Sequence, residues 1–518
     1  MSEPATIWEL LQVGGDDDLA LLGPGRAPLT YRHLRDQTER TIAVLNRLGI
    51  GRGDRVAIVL PNGPEMAAAF VGIAAGATTA PLNPAYRREE FAFSLSDIGA
   101  AALAVERDSS SIAIEVASGL GIPVLEIASE PGAPAGSFDL SVREGECQGP
   151  ALTGGLSESD DVALILHTSG TTSRPKLVPL SHRNVCASAR NMCRTLELQE
   201  RDRCLNVMPL FHIHGLMAAI LSSLSAGASV SCSPGFNALR FFSWLDEARP
   251  SWYTAVPTMH QAILARADRN RPLIAKRPLR FVRSSSSALP PQVMKALEDT
   301  FACPVIEAYS MTEAAHQMTC NPLPPRARKP GTVGIAAGPE VGVMDPEGRL
   351  LPSGSAGELV IRGPSVTLGY ENNSQANAEC FTRGWFRTGD QGVLDEQGYV
   401  TITGRLKEII NRGGEKVSPR EVDGVLMDHP AIEQVVTFAM PHDKLGEEVA
   451  AAVVLREGHE AEARELRRFA GERLAEFKVP RKILFLDEIP KGSTGKLQRI
   501  GLAEKLGLAG PTRDGSGR

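Results

Sequence analysis

The stretch Thr168-Ser-Gly-Thr-Thr-Ser-Arg-Pro-Lys176 concentrates five hydroxyls, one glycine and a closing lysine within nine residues. Hydroxyls and backbone N–H groups of this kind wrap a polyphosphate, and the lysine adds a point charge. No second glycine precedes the lysine, so this is not a Walker A loop. Its candidate phosphate contacts are Thr168, Ser169, Gly170, Thr171, Thr172 and Lys176. Further along, Glu307-Ala-Tyr-Ser-Met-Thr-Glu313 ends in a carboxylate. A carboxylate is a hard oxygen donor. Histidines His212, His214 and His316, the run Ser284-Ser-Ser-Ser287, and Lys496 in a Gly/Ser-rich loop complete the residues able to meet an anion.

These residues sit where short apolar runs end. Arg55–Leu60, Val162–Leu166, Trp252–Val256, Leu279–Val282 and Val305–Tyr309 read as buried strands. Helical patterns separate them, and Glu65 to Gly76 reads as a helix packed through small residues. Strands alternating with helices imply parallel β/α layers, with ligands at the loops that leave the strands' carboxyl ends. From about Gly331 the texture changes to closely spaced turns around short strands such as Gly357–Arg362 and Tyr399–Thr403, a small antiparallel, β-barrel-like region. A further small α/β unit follows Gly404, with strands near Val435–Ala439, Val449–Leu455 and Ile483–Leu486. The expected class is α/β. A large N-terminal domain over 1–403 holds two β/α layered subdomains and the β-region, 404–408 is a hinge, and 409–510 is a small mobile C-terminal α/β domain.

The chain has 518 residues, too many for one compact core. A net charge of −6 asks for neither nucleic acid nor an anionic membrane as partner. The basic clusters Arg277 to Arg283 and Arg326 to Lys329 read as solvated faces. None of the eight cysteines forms a CxxC pair, so they read as buried thiols in a reducing compartment. The N-terminus lacks signal-peptide character, the longest apolar stretch is short of a span, and the C-terminus is not a peroxisomal signal, so the cytoplasm is the expected location.

Taken in order, these motifs resemble the adenylate-forming superfamily of acyl-CoA synthetases, firefly luciferases and peptide-synthetase adenylation domains, from Leu29-Thr-Tyr31 to Lys496. The resemblance implies ATP, Mg²⁺ and coenzyme A, and a monomer or homodimer. The 168–176 loop corresponds to the family's phosphate motif, with Ser173 and Leu177 where glycines are usual, which stiffens it. Phe211-His-Ile-His-Gly215 resembles the gate beside the acyl pocket, with His212 as its histidine. The resemblance places Ser287, Glu307, Ala308, Tyr309, Ser310 and Met311 around the nucleotide, with Tyr309 stacking on adenine, Thr312 on phosphate and Glu313 on magnesium. Asp390 of Thr388-Gly-Asp390 would accept the ribose hydroxyls, Arg405 would touch the ribose side, and Lys407 would be the pivot. Gly413 and Gly414 would line the pantetheine tunnel, and Lys496 would meet the substrate carboxylate and the α-phosphate as charge builds there.

Trp252–Thr258, Arg280–Ser287 and Glu307–Pro325 resemble the oxalate–CoA ligases of plants and fungi. The Ser284–Ala288 run replaces the family's usual Ser-Gly-Ala-Ala-Pro with hydroxyls, and His316 follows Glu313 at the pocket wall. A second buried carboxylate costs several kcal/mol unless hydroxyls and an imidazolium offset it. Ser286 and His316 are the candidates, with Ser285, His212 and His214 behind them. Malonate, another short acid or a fatty acid is the alternative substrate. A carrier-loading adenylation domain would share every motif, although no Asp-Ser-Leu carrier serine is present. A serine hydrolase finds support only in Ser173-x-x-Lys176 and Ser493-x-x-Lys496. A nucleotide-sensing module would not need Lys496, and nothing points to luciferase-like oxidation.

Overall fold

The computed structural model describes residues 3–145, 149–168, 175–490 and 499–508. They form two compact units, one of Met1–Val341 with Ile361–Phe386, the other of Gly342–Val360 with Arg387–Arg518. No helix among the described residues is long and apolar enough to cross a membrane.

The first unit holds a seven-stranded and a nine-stranded sheet. Strands Arg55–Val59, Thr78–Pro81, Ala102–Glu106 and Val124–Ala128 pair in parallel at the centre of the smaller sheet. Helix Pro64–Ala74 is apolar on nearly every face and is buried along its length, as its small residues foretell. Its Gly72 faces Thr41 of helix Tyr31–Arg47, where a Cβ would lie 3.3 Å from the Thr41 hydroxyl. Antiparallel strands close both edges of this sheet: Lys176–Ser181 on one side, Asp139–Glu144 on the other. The latter is almost wholly exposed and carries Asp139, Arg143 and Glu144.

In the larger sheet Ser229–Cys232, Arg203–Asn206, Trp252–Ala255, Phe281–Ser284 and Val305–Met311 run parallel. His316–Cys320 returns antiparallel beside the last of them. Phe241, Trp244, Tyr253, Leu297 and Phe301 build the core on one face. The strand foreseen over 279–282 starts only at Phe281, and just before it the Arg280 guanidinium lies 2.9 Å from Asp202. The basic cluster is therefore not one solvated face. Arg277 pairs with Asp246, while Arg283 is completely buried.

The antiparallel region expected after Gly331 is a five-stranded sheet that includes Ala356–Arg362, Trp385–Leu394 and Val400–Arg405. The second unit continues with another five-stranded sheet. Its long hairpin Ile432–His442/Gly446–Leu455 is antiparallel, and Lys482–Phe485 adds in parallel. Helices Pro419–Met427 and Ala463–Gly471 cover one face through Val422, Leu426, Leu466 and Ala470.

Candidate active site

In the first unit the candidate residues gather at loops that leave parallel strands. Thr168 and Lys176 are register partners at the ends of two antiparallel strands. Ser169, Gly170, Thr171 and Thr172 lie outside the described residues. The Lys176 ammonium lies 4.4 Å from the centroid of the Tyr370 ring. The Tyr370 hydroxyl donates to Glu313 Oε1 at 2.7 Å. Burial and the Glu313 carboxylate push this phenol well above its ordinary pKa, so it stays a proton donor. Glu313 is itself buried, in a single turn over Thr312–Ala314 whose Glu313 carbonyl accepts from the Thr367 N–H at 2.7 Å. Among the described residues no group of three or more His, Cys, Asp or Glu forms a metal cage. One hard carboxylate, oriented by a phenol, fits an ion that arrives on a nucleotide's phosphates.

The strand Val305–Met311 presents Glu307, Ala308, Tyr309, Ser310 and Met311. Glu307 is buried, and its carboxylate accepts from the Leu289 N–H at 2.8 Å, which ties down the loop after Ser287. Ser285 donates to the Ala308 carbonyl at 3.0 Å and lies 2.9 Å from the Ser310 hydroxyl, so it fastens the serine run to this strand. Ser287 is exposed, and Thr312 is half-buried.

Ser286 behaves differently. Its φ of +71° turns it away from the run, and its hydroxyl lies 3.0 Å from His214 Nδ1. The other ring nitrogen, Nε2, is 2.6 Å from the Thr254 hydroxyl. The His316 ring lies beside the His214 ring, with centroids 5.0 Å apart. Ala315 (φ +47°) and His316 (φ +96°) make the sharp reversal between Met311 and the returning strand. Such strained conformations in non-glycine residues persist only where the surroundings enforce them. Ser188 helps by donating to the Ala315 carbonyl at 2.5 Å. His214 opens a π-helix, His214–Leu221, a form concentrated at functional sites. His212 Nδ1 accepts from the His214 N–H at 3.2 Å, so His212 orders the start of this helix.

In the second unit Asp390 and Arg405 are cross-strand partners, with Arg405 Nε donating to Asp390 Oδ1 at 3.2 Å. The Asp390 carboxylate is buried, and its N–H donates to Thr388 Oγ1 at 3.1 Å. Lys407 is exposed. Gly413 (φ +61°) and Gly414 (φ +102°) form the tip between strands Ile410–Arg412 and Glu415–Val417, a left-handed pair that side chains resist. Arg412 clamps this hairpin to Glu448 through bonds of 2.5 and 3.1 Å. Burial raises the Glu448 carboxyl, but the Arg412 guanidinium holds it below the usual range. Lys496 lies outside the described residues.

Tyr370, Thr254, Arg283 and Gln317 were not found from the sequence. Polar residues inside strands whose neighbours are all buried, Thr254 in Trp252–Ala255 and Arg283 in Phe281–Ser284, are the signal that could have found two of them. Tyr370 carries no such signal.

Comparison with known proteins concerns the chain as a whole. The model of the AMP-binding enzyme family matches residues 12–371, and that of the AMP-binding enzyme C-terminal domain matches 421–496. An oxalate–CoA ligase of Arabidopsis thaliana is 44% identical over 93% of this chain and 94% of its own. An oxalate–CoA ligase of Saccharomyces cerevisiae is 43% identical over 88% of this chain and 87% of its own. The crystal structure of ATP-bound MatB from Rhodopseudomonas palustris superposes with a TM-score of 0.85 at 28% identity, covering 97% of this chain and 98% of that one. A loop anchored at Thr168 and Lys176, a carboxylate at Glu313 and a matching chain length on both sides therefore have one common explanation: the chain belongs to the AMP-binding enzyme family.

Proposed function

We propose that this protein is an ATP-dependent acid–CoA ligase whose acid is oxalate. The acid's carboxylate oxygen attacks the α-phosphorus of ATP, the bond to the β-phosphate's bridging oxygen breaks, and pyrophosphate leaves with that electron pair. The thiol of coenzyme A then attacks the acyl carbon of the adenylate, its proton is lost, and AMP leaves. When bound, Mg²⁺ would neutralise phosphate charge, and Glu313 is the carboxylate that would hold it. Thr168, Lys176 and the loop between them bind the phosphates, Thr312 adds a hydroxyl, Tyr309 stacks on adenine, and Asp390 with Arg405 takes the ribose. Lys496 supplies the positive charge for adenylation. The segment 404–408, with Lys407 as pivot, exchanges it for the Gly413–Gly414 turn that faces pantetheine.

The observation that supports oxalate is the polar cluster of Ser286, His214 and His316, which we read as a wall of the acid's site, with hydroxyl and imidazole groups 3.0 Å apart and paired rings. An alkyl chain gains nothing from such a wall, and a second carboxylate finds donors there. The names of the Arabidopsis and yeast relatives support the same acid.

The test is pyrophosphate release across oxalate, malonate, acetate and hexanoate, with and without coenzyme A. Oxalate is expected to give the highest kcat/KM, with a CoA thioester as product. Preference for malonate or hexanoate overturns the oxalate assignment. Thioester formation only on a carrier protein overturns the ligase reading. His316→Ala and Ser286→Ala are each expected to lower kcat/KM for oxalate by about a hundredfold, the loss of one to two charge-assisted hydrogen bonds. Normal oxalate activation by both variants refutes the assignment of the wall.

A further inference from the structure

Arg283 is an arginine at full burial, and among the described residues no carboxylate pairs with it. Its Nη1 donates to the Thr254 hydroxyl at 3.5 Å and its Nη2 to Gln317 Oε1 at 3.2 Å. Gln317 is itself fixed, donating to the Ala337 carbonyl at 3.1 Å and to Thr195 at 3.3 Å. The thiols beside the guanidinium are neutral. Burial pushes Cys320 up to about 11 and Cys204 well above its usual value. A guanidinium stays charged and only donates. An uncompensated buried charge is destabilising, so its presence in a strand of the central sheet calls for a reason.

Its neighbours provide one. Thr254 is the cross-strand partner of Arg283 and touches His214 Nε2, while His214 Nδ1 touches Ser286. A threonine hydroxyl has one proton. With a fixed cation on its oxygen side, that proton is turned away from Arg283, and the imidazole nitrogen 2.6 Å away is an acceptor within its reach. In that polarity Nε2 accepts, and the ring proton sits on Nδ1, which donates to the Ser286 oxygen. The Ser286 proton is thereby left to point outward. In the reverse polarity Ser286 would spend its proton on Nδ1 and show a lone pair to an arriving carboxylate.

We propose that Arg283 is a positioning residue that polarises the chain Thr254–His214–Ser286 in one direction, so that Ser286 presents its O–H to the distal carboxylate of the acid. The substrate end of this chain rests on the assignment of oxalate, whereas its direction does not. No bond to carbon or phosphorus changes, and the protons keep their places throughout turnover.

The test uses the full chain and the variants Thr254→Val, Arg283→Met and Arg283→Lys. Selective ¹⁵N-histidine labelling, with the His214 signals assigned by their loss in His214→Gln, reads the tautomer without any substrate. Wild type is expected to show the proton on Nδ1, and Thr254→Val to move it to Nε2. In steady-state kinetics Thr254→Val and Arg283→Met are expected to raise KM for oxalate about tenfold, the weakening of one charge-assisted hydrogen bond, with KM for ATP unchanged. Arg283→Lys, which keeps the charge, is expected to restore most of the difference. A wild-type His214 protonated on Nε2 overturns the proposal. So does a Thr254→Val enzyme whose oxalate KM and His214 tautomer match wild type. If Arg283→Met does not fold, Thr254→Val decides alone, since it leaves the guanidinium in place. If wild type turns over malonate and not oxalate, the substrate assignment fails while the ¹⁵N measurement still judges the direction of the chain.

Discussion

At the scale of single residues, Glu313 depends on Tyr370. The phenol 2.7 Å from Oε1 fixes which way the carboxylate faces, and the same ring lies against the Lys176 ammonium. Tyr370→Phe removes a hydrogen bond to a charged group, about 1.5 kcal/mol. Pyrophosphate exchange titrated with Mg²⁺ is expected to show a half-saturating concentration raised about tenfold, with KM for oxalate unchanged. The role proposed for Glu313 has a signal in the sequence, because it closes a run of chemistry-bearing residues. Tyr370 has none, because the bond joins positions far apart in the chain and a lone tyrosine after glycine says nothing of its partner. Arg283 was read as part of a solvated cluster for a related reason. Runs of arginine look alike in sequence, and only the sheet register decides which member points inward.

At the scale of elements, the buried parallel strands were legible because they are continuous apolar runs ending in turns. The antiparallel strands beside them, Lys176–Ser181 and His316–Cys320, were not. Their direction is set by reversals such as the Ala315–His316 pair, whose left-handed backbone has no signature in residue type. The π-helix from His214 was equally hidden, and its geometry explains Gly215. A Cβ there would lie 2.4 Å from the Pro209 carbonyl oxygen, a backbone atom that cannot swing aside. Gly215→Ala is expected to destabilise the fold by roughly 2 kcal/mol and to lower kcat/KM for oxalate, because His214 is the adjacent residue. Urea unfolding followed by circular dichroism, beside kinetics on the folded variant, checks both.

At the scale of the whole molecule, the change of texture after Gly331 was legible, because turn residues recur at short intervals there. How residues divide between the two units was not, since that depends on contacts between distant segments. Two histidines set an acid limit for the fold. Burial lowers His182 from 6.5 to about 4 and His260 from 6.5 to about 3. Each is neutral and bonded: His182 Nδ1 accepts from the Ile7 N–H, and His260 Nδ1 lies 3.1 Å from the Tyr253 hydroxyl. Between the folded and unfolded values the unfolded chain binds more protons. Their contribution is therefore complete above pH 6.5 and falls as pH drops toward 4, by about 1.4 kcal/mol per pH unit for each ring. His182→Asn keeps an acceptor without the titration. Its urea midpoint is expected to lie below wild type at pH 7.5 and to close on it by pH 5.

The exposed border strand Asp139–Glu144 has a consequence of another kind. Among the described residues its outer rim has no strand partner and offers a template to an extended peptide, yet it carries the exposed ions Asp139, Arg143 and Glu144. A second chain laid along it would have to strip water from those ions. The protein can thus be concentrated without its smaller sheet zipping onto that of a neighbour.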